Sequence, residues 1–552
     1  MLACAPLADG GYALQELTEQ GDAVGPRRLA RPDELAGFSA ADRWLWACTV
    51  DDYPALIAAG VHVPRCHDIA VVERILLGRD GVFGDPTWPG AVVARAQGRP
   101  VPAGPVAVGT DEMPALFDLP GAAGPPDPAV DPIELLRDAY LDQRRRAGSD
   151  RALALLLAAE CGSALAAAEM GAVGLPWRPD IHLAVLDELL GPRPPAGVRP
   201  RTLAALAAEI DAAFGFPVNP DSAVDLRGAF RRVGFDIDST RSWVLKGIDH
   251  PAVAPLLQYK ELSRLHTANG WSWLDQWVTG GRFHAEYLSG AVVSGRWATR
   301  GGGALQIPRV LRQAVVAQPG HRLAVADAAQ LEPRVLAAIS GDAALQAVSA
   351  DEDLYTALAD DGFGGDRAHA KVAMLGAMYG ATSGEAGRLL ATLRNRYPDA
   401  MACVENAARQ GERGDVVASV LGRACPPPSD GWWEVVELGS GQDATDPERR
   451  RASQFARDRG RFTRNFVVQA SAADWASVWL SGLRRDLPGV PGAELVFFQH
   501  DELIVHVPVA GAPAVADLAI AAAESARRLV FPGSLVTTPV RPAIVECYAD
   551  AK

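Results

Sequence analysis

Two carboxylates interrupt an apolar segment near the end of the sequence. Residues 495–507 read LVFFQHDELIVHV, so Asp501 and Glu502 stand in what is otherwise a pattern for buried sheet. Burying an unpaired carboxylate costs several kcal/mol, and strand interiors normally exclude such groups. A bound divalent metal ion removes that cost, because carboxylate oxygens are its preferred ligands. The segment therefore predicts metal ligands beside a sheet.

A second carboxylate borders apolar sheet in residues 321–340, HRLAVADAAQLEPRVLAAIS. LAVADA predicts a buried strand and QLEPRVLAAIS a helix, with Pro333 tolerated in its first turn. Asp327 then stands at a strand end. A single aspartate there could be a helix N-cap. Together with Asp501 it favours a shared pair of Mg²⁺ ions, which clamp the attacking and leaving oxygens of a phosphoryl transfer.

A helical stripe of cations and larger side chains lies between these acids, in residues 366–384 (DRAHAKVAMLGAMYGATSG). Only four of the 53 basic residues are lysines, so Lys371 indicates a need for a compact ammonium. Arg367, Lys371, Leu375 and Tyr379 recur every four residues and share one face of a helix. The two cations could hold a polyphosphate, and the other two could pack on a sugar and base. An amphipathic core helix is the alternative reading.

Composition limits the class of protein that must position these residues. A chain of 552 residues exceeds one compact core, so two or more domains are expected. The net charge is −14, yet residues 287–326 carry five arginines and no acid, and residues 448–465 carry seven arginines against two acids. Local basic patches set the attraction for phosphates, although each could also be a solvated helix face.

The amino-acid content also indicates the cellular location and whether disulfides or a zinc site hold the fold together. The seven cysteines form no CxxC pair, which argues against a zinc site and against a disulfide scaffold. The apolar stretch 152–174 is interrupted by Glu160 and Glu169 and predicts a buried helix rather than a bilayer span. The first residues lack a basic leader. We expect a cytoplasmic protein with no membrane partner.

Taken together, the motifs resemble those of family A DNA polymerases, of the DNA polymerase I (Klenow-type) kind. DAAQLEPR (327–334) and QHDEL (499–503) are similar to the two palm motifs of that family, and RAHAKVAMLGAMYG (367–380) to its fingers helix. SGRWATRGGGALQIP (294–308) and RFTRNFVVQASAADW (461–475) are similar to two further segments. The resemblance covers about residues 150–552, and its five motifs stand in the family order.

The resemblance implies an α+β fold of the right-hand polymerase type, with an antiparallel palm sheet and helical fingers and thumb. The polymerase domain would span 134–552, divided into thumb (about 150–290), palm (about 290–350 and 470–552) and fingers (about 350–470). Residues 1–133 would form a small α/β remnant of a 3′–5′ exonuclease domain and a Pro/Gly-rich linker. This remnant is expected to be inactive, because no D-x-E triplet precedes residue 150.

The resemblance also implies a role for individual residues. Two Mg²⁺ ions, which Mn²⁺ may replace, would be held by Asp327, Asp501 and the carbonyl of Ala328, with Glu502 beside them. The incoming deoxynucleoside triphosphate would contact Gln330, Glu332, Arg367, Lys371, Leu375, Tyr379 and His500. Within this set, Glu332 would be the gate against a ribose 2′-hydroxyl and would pair with Tyr379. Primer–template DNA would contact Arg296, Gln306, Arg461, Asn465 and Gln469, and the enzyme is expected to act as a monomer.

Several positions depart from the family pattern. Ala328 replaces a tyrosine, which leaves catalysis intact if its carbonyl is the ligand. Leu375 replaces a phenylalanine, so a ring contact with the nucleotide sugar is lost and sugar discrimination is expected to weaken. Residues 425–448 form a Pro/Gly-rich insertion, expected to be a mobile surface loop. A non-catalytic DNA-binding relative is the rival hypothesis, whereas a phage-type RNA polymerase should not keep an acidic gate such as Glu332.

Overall fold

The computed structural model of the chain describes residues 1–38, 41–101, 131–380 and 384–551. Most of the predicted linker therefore lies outside the described residues. The contacts form two compact units. The first comprises Met1–Ala172, Tyr287–Ala298 and Ala324–Ile544, and the second comprises Val173–Glu286, Thr299–Leu323 and Val545–Lys552. Every predicted site residue except Gln306 belongs to the first unit.

A five-stranded sheet opens the first unit. Its strands are β1 (Leu2–Pro6), β2 (Tyr12–Leu17), β3 (Ala23–Ala30), β4 (Trp44–Trp46) and β5 (Cys66–Asp68), in the spatial order β3-β2-β1-β4-β5. β1, β4 and β5 run parallel, and β2 and β3 extend the sheet antiparallel. The flanking helices are α1 (Thr49–Ala58), α2 (Ile69–Arg79), α3 (Pro89–Ala96) and α4 (Pro132–Ala147).

Helix α4 begins near the predicted domain boundary and packs back on this sheet. Ile133, Leu136 and Tyr140 are buried in one cluster with Ala3 and Leu45 of the strands. Asp131 caps the helix by accepting hydrogen bonds from the N–H groups that follow it. The N-terminal layer thus continues through residue 147.

The next helix, α5 (Arg151–Val173), is the predicted buried helix. Leu153, Leu156 and Leu165 are fully buried. By length and composition, α5 and the segment Val509–Val530 could each cross a membrane, and 67% of the apolar window of α5 is buried inside the fold. This burial confirms α5 as a core helix of the first unit.

The second unit is mostly helical. It holds β6 (Leu175–Pro176), α6 (Pro179–Leu190), α7 (Arg201–Phe214), α8 (Ala223–Arg232), α9 (Ser242–Leu245), α10 (Val253–Asn269), α11 (Trp271–Trp277), β7 (Val278–Thr279) and β8 (Arg282–Phe283). The rings of Trp177, Trp273 and Phe283 pack in tilted and edge-on contacts with centroids within 6 Å of one another. The Nε2 of His182 donates to the carbonyl of Asn269 at 2.9 Å. This aromatic cluster gives the unit a core of its own.

A four-stranded sheet returns the chain to the first unit. After the short strands β9 (Glu286–Leu288) and β10 (Ala298–Gly301) come β11 (His321–Asp327), β12 (Glu494–Gln499), β13 (Glu502–Pro508) and β14 (Ala543–Val545). The spatial order is β12-β13-β11-β14, with β12 and β13 an antiparallel hairpin. The inner residues of β11 are apolar and buried, and β13 is buried over Glu502–Val507 with His506 as its one polar side chain away from the strand ends.

The remaining helices belong to the same unit. They are α12 (Leu331–Ser340), α13 (Ala343–Val348), α14 (Leu354–Gly362), α15 (Arg367–Tyr379), α16 (Gly384–Arg396), α17 (Pro398–Glu412), α18 (Asp430–Ser440), α19 (Asp446–Asp486) and α20 (Ala512–Val530). The 41-residue α19 packs against α17, α18 and α20. Its Trp479 indole donates to the carbonyl of Ala519 at 3.0 Å.

The expectation of a mobile loop at 425–448 was wrong, because α18 lies inside this segment. Ser429 caps the helix by accepting from the N–H of Trp432. The indole of Trp432 is buried and donates to the carbonyl of Phe455 on α19 at 3.1 Å. Three of the four prolines of the segment precede the cap and the fourth, Pro447, lies in the first turn of α19, while Gly439 and Gly441 stand near the C-terminal end of α18. None of the prolines falls inside α18.

Candidate active site

The two strand-end aspartates lie side by side on neighbouring strands. Asp327 ends β11, and Asp501 occupies the two-residue turn between β12 and β13. The N–H of Ala328 donates to the carbonyl of Asp501 at 2.8 Å, which ties the two positions together through the backbone. His500, at φ 58°, makes this turn tight. The predicted pairing of these acids from distant parts of the sequence is therefore present.

The donor set at this place suits a hard cation. Asp327 and Asp501 are both half-buried, whereas Glu502 is buried (4% exposed) at the start of β13. No cluster of three or more His, Cys, Asp or Glu side chains arranged for a metal occurs among the described residues. Mg²⁺ commonly uses one or two carboxylates and completes its shell with water and substrate phosphates. Two carboxylates and a carbonyl thus fit Mg²⁺ better than a metal that needs a full protein cage.

Glu332 is held by two partners one turn beyond Asp327. Gln330 adopts a left-handed conformation (φ 52°) and starts α12 without a side-chain cap. This places Glu332 on the first turn, where its Oε2 accepts from the hydroxyl of Tyr379 at 2.7 Å. Its Oε1 is in an ion pair with Arg296. The predicted Glu332–Tyr379 contact is present. Arg296, which is predicted to contact DNA, forms an ion pair with Glu332 in this structure.

Arg296 and Glu332 line a cavity of about 180 Å³. Its walls include Arg296, Glu332, His500 and Asp501, and a row of small residues from α19 closes one side. The Nδ1 of His500 is buried, without a hydrogen-bond partner among the described residues. Burial and the nearby charge of Arg296 lower the pKa of His500 to about 4, so the imidazole is neutral near pH 7.

Helix α15 carries the predicted phosphate-binding stripe. Asp366 caps it by accepting from the N–H of His369 at 3.0 Å, and the left-handed Gly380 ends it. Lys371 is exposed and Leu375 half-buried. Burial and the Glu332 carboxylate raise the pKa of Tyr379 to about 12, so its hydroxyl stays protonated as a donor.

Asp353 is the main residue of this site that the sequence did not reveal. It forms an ion pair with Arg367 at 3.0 Å and accepts from the side chain of Gln330 at 2.8 Å. Two residues predicted to bind the nucleotide are therefore joined through one carboxylate at the start of α14. An aspartate before a helix is a common cap signal, and nothing in the sequence indicates these longer-range partners.

The residues expected on DNA lie mainly along α19. Arg461, Asn465 and Gln469 follow one another at four-residue intervals and share a stripe of the helix. Arg461 forms an ion pair with Asp458 and is exposed. Gln306 ends a short 3₁₀ helix in the second unit, and its side chain lies outside the described residues.

A buried charge network lies next to the cavity wall. Arg423 donates to Glu160 on α5 at 2.7 Å and to Asp474 on α19 at 3.3 Å. Ser477, which lines the cavity, also donates to Glu160 at 2.9 Å. A Cβ added at Gly295 of the cavity wall would approach the Arg423 guanidinium to 2.6 Å, so only glycine fits there. The sequence revealed Glu160 only as an interruption of an apolar stretch.

Known proteins resemble this chain in sequence and in fold. The profile of DNA polymerase family A matches residues 201–537. The thermostable DNA polymerase I of Thermus aquaticus is 28% identical over 374 residues, which are 60% of this chain and 42% of that protein. DNA polymerase I of Treponema pallidum is 27% identical over 323 residues, 53% of this chain and 31% of that protein. The chain spans less than half the length of these relatives.

A solved structure supports the fold. The polymerase domain of Pol1 from M. smegmatis, in complex with primer–template DNA and a dNTP, matches with a TM-score of 0.71 at 17% identity. The match covers 100% of this chain and 96% of that one. The predicted right-hand polymerase fold is thereby confirmed. The profile of DNA polymerase family A matches more than half of this chain, so the chain belongs to that family.

Proposed function

We propose that the chain is a DNA-directed DNA polymerase that adds deoxynucleotides to the 3′ end of a primer. The observation that supports the proposal is the backbone hydrogen bond from the N–H of Ala328 to the carbonyl of Asp501, which joins the Asp327 and Asp501 positions at one end of the central strands. Membership of DNA polymerase family A supports the same reaction. The partners would be primer–template DNA and deoxynucleoside triphosphates.

Asp327, Asp501 and the carbonyl of Ala328 would hold two Mg²⁺ ions. Bound there, the ions would supply charge stabilisation for the transferring phosphoryl group and for both of its flanking oxygens. Mn²⁺ has the same preference for oxygen ligands and could substitute. Glu502 lies next to this pair but is buried at the strand start, which suits a supporting role.

The other residues bind and orient the substrates. Lys371 and Arg367 on α15 would neutralise the triphosphate, and Tyr379 would stack at the nascent base pair. Glu332, fixed by Tyr379 and Arg296, would press against C2′ of the nucleotide. His500, neutral and in the cavity wall, would face the primer end.

Phosphates and bases of the duplex would meet the arginine-rich surfaces. Arg461, Asn465 and Gln469 on α19 would track the template, and Gln306 would contact DNA from the second unit. Arg296 would exchange its bond to Glu332 for a primer contact. A single chain contains all of these residues, so we propose that the enzyme is a monomer. We also propose that it acts in the cytoplasm.

Proofreading is not part of the proposed activity. The first strand of the N-terminal sheet, LACAP, carries no carboxylate. Buried acids nearby already have partners: Asp52 accepts from the N–H groups of Ala47 and Cys48, and Asp68 accepts from the N–H of Thr49 at 2.7 Å. Glu73 forms ion pairs with Arg95 and Arg146. Acids engaged in this way are not assembled for metal binding. We therefore propose that this layer is a structural remnant.

Primer extension on a defined template with Mg²⁺ or Mn²⁺ tests the proposal. The wild-type chain should extend the primer by template-directed addition, whereas Asp327→Asn should bind the same DNA without extending it. Binding by the wild type with no extension under either metal would favour the rival hypothesis of a non-catalytic DNA-binding protein.

A further inference from the structure

Asp353 lies where three parts of the candidate active site meet. Its Oδ1 accepts from the side chain of Gln330 at 2.8 Å and from the backbone N–H groups of Tyr355 and Thr356 at 3.0 and 3.1 Å. Its Oδ2 accepts from Nε of Arg367 at 3.0 Å. One carboxylate therefore joins the turn after β11, the first turn of α14 and the first turn of α15.

The contact fixes the direction of the Arg367 guanidinium. Asp353 binds the Nε edge, and the guanidinium carbon lies 5.7 Å from the ring centre of Tyr355. The outer edge of a guanidinium, between its two Nη groups, is distinct from the Nε edge, and the Arg367 side chain is about half exposed to solvent. A guanidinium presents its N–H groups in a rigid fork that matches phosphate oxygens. An arginine held in this way loses less conformational freedom when a phosphate binds.

The same carboxylate restrains the turn that leads to Glu332. The amide of Gln330 is bound at both ends, because its Oε1 also accepts from the N–H of Leu354 at 2.8 Å. Gln330 is in the left-handed region (φ 52°), which an unrestrained glutamine rarely adopts. Asp353 thus supports an uncommon backbone conformation two residues before Glu332.

We propose that Asp353 is a positioning residue that presents Arg367 to the triphosphate of the incoming nucleotide. The identity of this ligand rests on the proposed polymerase function. The Gln330 and Arg367 contacts, with those backbone N–H groups, also lower the pKa of Asp353 to about 2, so the carboxylate is charged at any working pH.

The variant Asp353→Asn isolates the contact with Arg367. Its Oδ1 can still cap α14 and accept from Gln330, while its amide nitrogen cannot accept from Nε of Arg367. Asp366→Asn is the matched control, because Asp366 also caps a helix and adjoins Arg367 in sequence, while its carboxylate is bound to the backbone N–H and the ring of His369. Thermal unfolding of both variants checks that the fold is retained.

Binding of inorganic tripolyphosphate and of a deoxynucleoside triphosphate would be measured by calorimetry, and KM and kcat by primer extension. For Asp353→Asn we expect both Kd values and KM to rise about five- to tenfold, with kcat within about twofold of wild type. Asp366→Asn should stay within about twofold in every constant.

A double-mutant cycle separates positioning from a general structural role. In an Arg367→Ala background, Asp353→Asn should change the tripolyphosphate Kd by less than about twofold, because its effect acts through Arg367. An equal loss in both backgrounds, or equal constants for Asp353→Asn and Asp366→Asn, would overturn the proposal. If the wild type binds tripolyphosphate but extends no primer, the polymerase function is wrong, and the binding cycle still decides the role of Asp353.

Discussion

The hydroxyl of Tyr379 donates a hydrogen bond to Glu332 at 2.7 Å, joining the end of one helix to the start of another across 47 residues of sequence. The second carboxylate oxygen of Glu332 is in an ion pair with Arg296. The side chain is thus restrained at both oxygens, beside the cavity that also includes Asp501. A restrained carboxylate can exclude a substituent by shape, which a mobile one cannot.

Replacement of Glu332 by alanine should therefore relax sugar selection. A 2′-hydroxyl beside Glu332 would clash or lose its hydration, at a cost of a few kcal/mol. Each ~1.4 kcal/mol is a tenfold preference, so Glu332→Ala should raise ribonucleotide incorporation about a hundredfold, with a smaller loss of deoxynucleotide addition. Single-nucleotide kinetics with both sugars measure the ratio.

Tyr379→Phe is the control for this variant, because it keeps the ring and removes only the hydroxyl that restrains Glu332. It should move the ratio in the same direction by a smaller factor. A ratio that is unchanged in Glu332→Ala would mean that another residue is the gate. The wild-type preference should be lower than it would be with a phenylalanine at position 375, because Leu375 offers no ring to the sugar.

Loss of either strand-end aspartate should abolish addition without abolishing DNA binding. Asp501→Ala or Asp327→Ala removes a ligand of the proposed metal pair and should lower the extension rate by several orders of magnitude. Primer–template affinity, measured by fluorescence anisotropy, should stay within a few-fold, because arginines carry it. Asp517→Ala on the exposed face of α20 is a control that should retain full rate. Near-normal extension by the Asp501 variant would refute the assignment.

A mismatched primer end should survive incubation with the full chain. The acids Asp52 and Asp68 of the N-terminal layer are bound to backbone N–H groups, and strand β1 has none. A labelled primer with a 3′ mismatch and no added nucleotides should keep its length with Mg²⁺ or Mn²⁺. Shortening that persists in Asp501→Ala would show that the N-terminal layer, and not the polymerase site, degrades DNA.

Acid should destabilise the fold through buried neutral histidines. Burial and Arg43 lower the pKa of His67 to about 3, against about 6.5 in an unfolded chain. Between these values the unfolded chain binds a proton that the folded chain does not. The contribution of neutral His67 to the free energy of unfolding is therefore fully present above pH about 6.5. It is lost as the pH falls through this window, by up to ~1.4 kcal/mol per pH unit for one such group.

The measurement is the free energy of unfolding in denaturant at pH 7.5 and 5.5. Between pH 7.5 and 5.5 the free energy of unfolding should fall less for His67→Gln than for the wild type, whatever the absolute stability of the variant. His369→Gln, at a position where the side chain is about half exposed, should show the same fall as the wild type. An identical pH dependence in wild type and His67→Gln would contradict a buried neutral His67.

The sequence predicted the parts of the site that depend on local pattern. The position of Asp327 at a strand end follows from the apolar strand pattern before it. The stripe from Arg367 to Tyr379 follows from the period of the α-helix, which fixes the face on which each side chain lies. The acids of the second palm motif were likewise visible because they break an apolar strand pattern. The predicted fold followed from the resemblance of five motifs in order.

What the sequence did not predict depends on partners far apart in the chain. Asp353 reads as an ordinary cap, and its bonds to Gln330 and Arg367 arise only from packing. Arg296 was placed on DNA, although its partner in the fold is Glu332. Residues 425–448 were read from their prolines and glycines, whereas the burial of Trp432 decides that a helix forms there.

The buried network around Glu160 also constrains the order in which the molecule can mature during synthesis. Glu160 precedes Arg423 by 263 residues and Ser477 by 317, and Glu169 precedes Arg484 by 315. A growing chain therefore contains α5 long before the cations that compensate its carboxylates exist. Since an uncompensated buried charge is strongly unfavourable, burial of Glu160 is expected only after Arg423 has been synthesised. The final packing of α5 therefore depends on a residue that follows Glu160 by 263 positions.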